Sequence, residues 1–450
     1  MNPETPAPLM VAPFGVDSLR EATPGESPSP DAPPPSGRRA RRRAAKSRRR
    51  RRWRVVVPVV IVVLLLLGAG AFAGVRLSEP APAPAVTSVL SRSVDVPSAV
   101  VPLPFPATGQ GAVSIPSIGV EEASGGETPV PVASLTKLMT AYIILHDHPL
   151  ALNQPGPTVT ATETDVQDFD TDAVSDDSNA QVTVGEQITE QQLLGGLLIH
   201  SADNYADLLA RWDAGSIPAF VAKMNATAAA LGMKQTHFAD DSGISTQSVS
   251  TAGDILKVAA PDMANPVVAA TVDNNSVTLP VAGILATYTP LLGLDGIIGM
   301  KSGYTDAAGG CDVVAVLRTV DGRPTLLLAA VTGQTGALAL DQAGLHGLAL
   351  VNAVQSLIGT STVLRAGVVA AQVGAAGSTV AGRTATSVSM LTWPGAHATR
   401  VFHPARHVSP QARRGAQVGS VVVTLGTQRA VVPVHLTRDL PPRSLLQRLF

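Results

Sequence analysis

From Val55 to Val75 the chain runs for 21 residues without a charge. At ~1.5 Å per helical residue that run matches a ~30 Å hydrocarbon core, and it predicts a single N-terminal transmembrane helix. Pro58 falls in the first turn, where its missing N–H is tolerated. Immediately before it, Arg38 to Arg54 holds 12 Lys or Arg and no acid, including five consecutive arginines from Arg48 to Arg52. Positive charge against one end of an apolar span marks the cytoplasmic side. The N-terminus is therefore expected inside the cell membrane, and everything after about residue 76 outside it. Ala71-Phe72-Ala73 resembles a signal-peptidase site, which would release the remainder; the length of the basic and apolar runs favours a retained anchor.

The formal net charge of −1 hides this asymmetry. Outside the basic run, 21 basic residues face 34 acidic ones, so the folded part is acidic and no nucleic-acid partner is expected. With 45 % apolar residues but only 3 % aromatics, the core must be built from Ala, Val, Leu and Ile. The single cysteine, Cys311, excludes an intramolecular disulfide framework and a cysteine zinc site, and reads as a small buried residue. The acidic stretch Asp165, Asp168, Asp170, Asp172, Asp176, Asp177 lacks the Gly and terminal Glu of a calcium loop. No metal and no cofactor are expected.

The chain divides by texture. Residues 1–37, rich in Pro and Ser, read as disordered and cytoplasmic. The basic juxtamembrane run covers 38–54, the transmembrane helix 55–75, and a Pro/Ala-rich linker, extended as a tether, 76–100. A globular domain is expected over 101–364, with helices at Leu138–Leu145, Ile188–Trp212 and Phe220–Leu231, the last ended by Gly232. Strands are expected at Gly296–Lys301, Asp312–Leu317 and Thr325–Thr332. Short Val/Thr runs between Gly and Pro turns predict an all-β module over 365–450.

Three short stretches carry chemistry. In Ser134-Leu135-Thr136-Lys137 the serine and lysine stand about one helical turn apart on one face. A serine hydroxyl needs a base to become a nucleophile, and a lysine whose pKa is lowered by burial can serve. Ser201-Ala202-Asp203-Asn204 sits within the second helical stretch. Lys301-Ser302-Gly303, followed by Tyr304, closes a predicted strand, where an edge and a small glycine admit an extended peptide. Each has an ordinary structural explanation alone: a helix start, a polar turn and a strand end.

S-x-x-K, then an S-D-N-like stretch, then K-[ST]-G, in this order, is the site pattern of serine penicillin-recognising enzymes. With Met224-Asn225, Leu231-Gly232-Met233, Asp241-Ser242-Gly243 and Asp295-Gly296 through Thr305, the chain resembles the serine-type D-alanyl-D-alanine carboxypeptidases of peptidase family S11, the low-molecular-mass penicillin-binding proteins, over roughly 101–360. The resemblance implies an α/β (α+β) penicillin-binding-protein/β-lactamase-like transpeptidase fold, an antiparallel sheet with a helical subdomain, plus a small C-terminal all-β domain. It implies Ser134 as nucleophile, Lys137 as base and Ser201 as proton relay. It assigns Asp203, Asn204, Lys301, Ser302 and Gly303 to the substrate, and the backbone N–H groups of Ser134 and Tyr304 to an oxyanion hole. The implied substrate is a peptidoglycan stem peptide ending in D-Ala-D-Ala, with β-lactams as acylating inhibitors. The sequence departs from the family at Asp203, where the pattern has an asparagine, since an ionised carboxylate only accepts hydrogen bonds. A non-catalytic muropeptide- or β-lactam-binding protein of the same fold, or a serine β-lactamase, are the alternative readings. The latter needs a water-activating carboxylate motif that is not found.

Overall fold

The computed structural model describes residues 38–97, 101–124, 126, 128–175 and 177–449. The expected disorder of 1–37 and Asp176 of the acidic stretch lie outside them. The chain separates into two compact units that part at Pro80.

In the first unit, the basic and apolar runs share one helix, α1 (Arg38–Ser78). Its Val56–Ser78 segment has a mean hydropathy of 2.8 over 23 residues, long and apolar enough to cross a membrane.

The second unit is organised by a five-stranded antiparallel sheet of β1 (Gln110–Ile115), β2 (Val120–Ser124), β3 (Ile297–Thr305), β4 (Gly309–Val320) and β5 (Arg323–Gln334). Their spatial order is β3-β4-β5-β1-β2. The period-2 alternation of strands divides the apolar residues between two cores. Cys311, Val313, Ala315, Leu328 and Ala330 face the helical subdomain, and Val314, Val316, Leu327, Ala329 and Val331 face the opposite core. The helical side holds α2 (Lys137–Asp147), α3 (Glu190–Leu198), α4 (Asp203–Ala214), α5 (Ile217–Ala230) and α6 (Ala252–Ala264). The other face is covered by α7 (Ala339–Leu357), which contributes Ala343, Leu350, Val351 and Val354. Fully burying a Val or Leu side chain contributes ~1.5–3 kcal/mol, so these two apolar faces dominate the stability of the unit.

Two features differ from the sequence reading. The stretch Ile188–Trp212 is not one helix. It holds a short strand, then α3 and α4, separated by residues 199–202, where Ser201 adopts a left-handed φ of 63°. The stretch read as a linker is also partly folded. Ala85–Ser88 and Ser93–Asp95 form the two edges of a seven-stranded antiparallel sheet built otherwise from residues 369–436. Ala85 pairs with Gly374, and Ser93 with Thr399. These segments of four and three residues replace Val369–Ala375 and His397–Pro404 as the edges, and short edge strands limit the row of unpaired N–H and C=O groups left exposed. Its core, including Val373, Val380, Val421, Val423 and Val434, is continuous with the α7 face of the central sheet.

Candidate active site

Ser134 lies in the 3-10 turn Ala133–Thr136 that leads into α2. Val132, Ala133, Leu135 and Thr136 are buried while Ser134 is only half-buried, so it alone in this turn reaches the surface. Ala133 is held at φ 48°, a left-handed conformation that costs a non-glycine residue roughly 1–2 kcal/mol. Gly243 supports it from behind: a Cβ there would stand 1.9 Å from the Ala133 carbonyl oxygen and 2.7 Å from Thr136 Oγ1. The turn and the 240–243 loop are locked further by Thr140 Oγ1, which donates to the Asp241 carbonyl at 2.6 Å. Sequence reasoning gave the Asp241-Ser242-Gly243 stretch no role; its glycine, at φ 93°, was the available signal.

Lys137, on the first turn of α2, is fully buried. Its Nζ meets three acceptors: Ser134 Oγ at 2.9 Å, Asp203 Oδ1 at 2.5 Å and the Ser242 carbonyl at 3.1 Å. The first contact is the geometry that proton transfer from a serine requires. The Ser242 carbonyl is a participant that the sequence reading did not name.

The break between α3 and α4 places Asp203 at the first position of α4, behind the strained Ser201. Ser201 is buried as well. Asn204 does not reach the site. Its amide is spent on Ala180, accepting from the Ala180 N–H at 3.0 Å and donating to the Ala180 carbonyl at 2.8 Å. The expectation that Asn204 contacts substrate is therefore corrected: one residue further round the helix, its side chain points into a different set of partners.

On the opposite wall, β3 carries Lys301, Ser302 and Gly303. A Cβ at Gly303 would stand 2.7 Å from the Ser134 backbone nitrogen and 3.1 Å from Ser134 Cβ, so only glycine lets the strand pass this close to the nucleophile. Ser302 Oγ donates to the Tyr288 carbonyl at 2.9 Å, and the Tyr288 N–H donates to the Ile199 carbonyl at 3.1 Å. His200 stacks on Tyr288, with ring centroids 4.7 Å apart. Residues 286–288 thus tie the Ser201 turn to the Lys301 strand. Tyr304 follows on the same strand with its ring exposed and its hydroxyl donating to Asp306.

The site is dense in buried charge. Lys301 is almost wholly buried, and desolvation followed by the nearby Lys137 pulls it down to about 7. Burial raises Asp203 above the usual carboxylate range, opposed by Lys137 and reinforced by Asp177. Burial likewise raises Asp207 to about 6, Asp172 to about 7 and Asp312 to about 7. Asp312 lies against Gly344 of α7 on the other face of the sheet, and the remaining shifted groups, gathered around Lys137 and Asp203, mark a candidate functional site.

Comparison with known proteins agrees with this geometry. A model of the Peptidase S11 family, D-alanyl-D-alanine carboxypeptidase, matches residues 122–334. A D-alanyl-D-alanine endopeptidase of Escherichia coli is 30 % identical over 210 residues, covering 44 % of this chain and 62 % of that protein. D-alanyl-D-alanine carboxypeptidase DacB2 of Mycobacterium tuberculosis is 35 % identical over 185 residues, covering 40 % of this chain and 59 % of that protein. The chain thus spans less than two thirds of the length of these curated relatives. Penicillin binding protein 6B from Escherichia coli superposes with a TM-score of 0.55 at 21 % identity, covering 75 % of this chain and 96 % of that structure, which establishes the shared fold. Over residues 122–334 the chain is thus similar to peptidase family S11, the D-alanyl-D-alanine carboxypeptidases.

Proposed function

We propose that the chain is a serine D-alanyl-D-alanine carboxypeptidase that trims peptidoglycan stem peptides through an acyl-enzyme on Ser134. The observation that carries this reading is the 2.9 Å contact between Lys137 Nζ and Ser134 Oγ, set beneath a strand kept bare by Gly303. Ser134 Oγ attacks the carbonyl between the two terminal D-alanines and gives its proton to Lys137. The negative charge that develops on the carbonyl oxygen is taken by the backbone N–H groups of Ser134 and Tyr304, the kind of preorganised donor pair that contributes most to acyl transfer. Ser201 passes a proton to the departing amine of D-alanine. Lys301 and Ser302 hold the terminal carboxylate, the group that a β-lactam also presents. Water then hydrolyses the ester and frees Ser134.

The basic run ahead of an apolar helix favours an N-terminus in the cytoplasm and a catalytic region outside the cell membrane, where stem peptides lie. The test is D-alanine release from a peptide ending in D-Ala-D-Ala, using the full chain in detergent. The wild type is expected to release D-alanine and Ser134→Ala to release none. Peptide binding without release would favour the muropeptide-binding alternative, and equal release by both proteins would remove Ser134 from the mechanism.

A further inference from the structure

Asp203 stands where the family pattern has an amide. An amide at this position would offer an oxygen to Lys137 as acceptor and an N–H to the cleft as donor. A carboxylate performs only the first. Asn204 cannot supply the second, because both ends of its amide are engaged with Ala180. Yet one protonation state of the pair performs both. If the carboxyl carries the proton on its outward oxygen, it presents one acceptor to Lys137 and one donor to the cleft, matching an asparagine in shape and polarity. Lys137 is then a neutral amine, with two N–H groups for Asp203 and the Ser242 carbonyl and a lone pair for the Ser134 hydroxyl.

We propose that Asp203 and Lys137 hold one proton between them, and that Asp203 takes it from Lys137 as acylation begins. This makes the lysine a base and the aspartic acid a hydrogen-bond donor to the scissile carbonyl in one step. The proton leaves Nζ along the 2.5 Å contact and binds Oδ1, and the carboxyl turns about its Cβ–Cγ bond so that this O–H faces the substrate while Oδ2 accepts from Nζ. No proton is exchanged with solvent, because ammonium with carboxylate and amine with carboxylic acid contain the same number. Lys137 then accepts the Ser134 proton.

The surroundings favour the neutral form. Both side chains are nearly shut off from water, with 0 % and 6 % exposure. Such a pair is costly to keep ionised. Facing Asp203 are Lys137 from α2, Lys301 from β3, Asp177 and Asp172 from the chain after and within the helix Glu163–Ser175, and Asp207 one turn along α4. Burial is the largest influence on Asp203 and opposes another negative charge there, Asp177 adds to it against the two lysines, and substrate closing over the cleft removes still more water.

This inference rests on the acyl-transfer reading, and the two can fail separately. The experiment is the pH dependence of β-lactam acylation of the full chain, wild type against Asp203→Asn, with thermal melting to verify that the variant is folded. Lys301 loses the upward pull of Asp203 in the variant, which by itself makes the ratio of variant to wild type fall with pH, the opposite of the climb expected from the pair. In the wild type the active state shares its proton count with the ion pair, so the rate is flat over the range where the pair holds one proton. In Asp203→Asn, Lys137 must lose its proton to solvent, so the rate rises by about tenfold per pH unit until that loss is complete. A ratio of variant to wild type that climbs with pH supports the pair. A ratio independent of pH overturns it, as does acylation of the variant alone, which would make Asp203 a block. Failure of both folded proteins to acylate would instead overturn the acyl-transfer reading.

Discussion

The part of the chain that carries the site and the β-rich part after residue 358 bury different things. Between residues 137 and 312 the described interior includes Lys137, Glu190, Asp203, Asp241, Asp262, Lys301 and Asp312. Over the strands from 359 to 436 the buried polar side chains among the described residues are Thr384 and Thr392, and the rest of that interior is aliphatic. Burying charge costs stability unless it is paired and hydrogen-bonded, whereas aliphatic packing returns stability without specificity for chemistry. The difference separates a region shaped by reactivity from one shaped by packing. It also explains why the α7 face of the sheet merges with the β-rich region into one apolar core, while the charged groups of α2, α4 and β3 converge on Ser134.

If that division holds, substitutions in the two regions must fail differently. Gly303→Ala places a methyl group 2.7 Å from the Ser134 nitrogen. It should lower the acylation rate by roughly 10²–10³-fold, the scale of losing one oxyanion donor, with little change in melting temperature. Wild-type acylation by that variant would place the oxyanion site elsewhere. In the β-rich region, Leu425→Ala empties a buried position. It should cost ~2–5 kcal/mol in denaturant unfolding and leave the acylation rate of the folded protein unchanged. A large rate change there would mean the regions are coupled.

The smallest effect sharpens the comparison through pH. Glu190 is fully buried with neither carboxyl oxygen partnered, and burial raises it from 4.5 to about 7. Folding therefore takes up a proton in that window. Stability falls as pH rises from 4.5 and reaches its full loss above about 7, with Asp172 and Asp312 adding the same sign. Glu190→Gln should flatten that decline in melting temperature. Parallel profiles for wild type and variant would show that Glu190 is not held neutral.

Much of this was legible in the sequence, because the features concerned are local. Continuous aliphatic runs marked β4 and β5, Gly232 marked the end of α5 at φ 74°, and the serine–lysine spacing put on one face the two side chains now seen 2.9 Å apart. The rest depends on distant partners. The polar Ser201-Ala202-Asp203-Asn204 stretch allowed a turn without requiring one, and the break is fixed by packing: a Cβ at Gly196 would stand 2.5 Å from the Tyr205 ring, so α4 folds back against α3. The edge strands at 85–88 and 93–95 are defined by residues some 300 positions away, a pairing that Pro- and Ala-rich composition cannot reveal. Asn204 and Asp203 differ in role through helical phase alone, which becomes visible only once the start of α4 is known.

The central claim is that Ser134 is a working nucleophile within this charged cleft. Intact-mass spectrometry of the full chain in detergent after exposure to penicillin tests it most directly, with Ser134→Ala alongside. The account predicts a mass gain equal to one penicillin on the wild type, mapped to Ser134 by peptide digestion, and none on the variant. An unmodified wild type with the drug left intact, or an adduct of equal yield on Ser134→Ala, would contradict it.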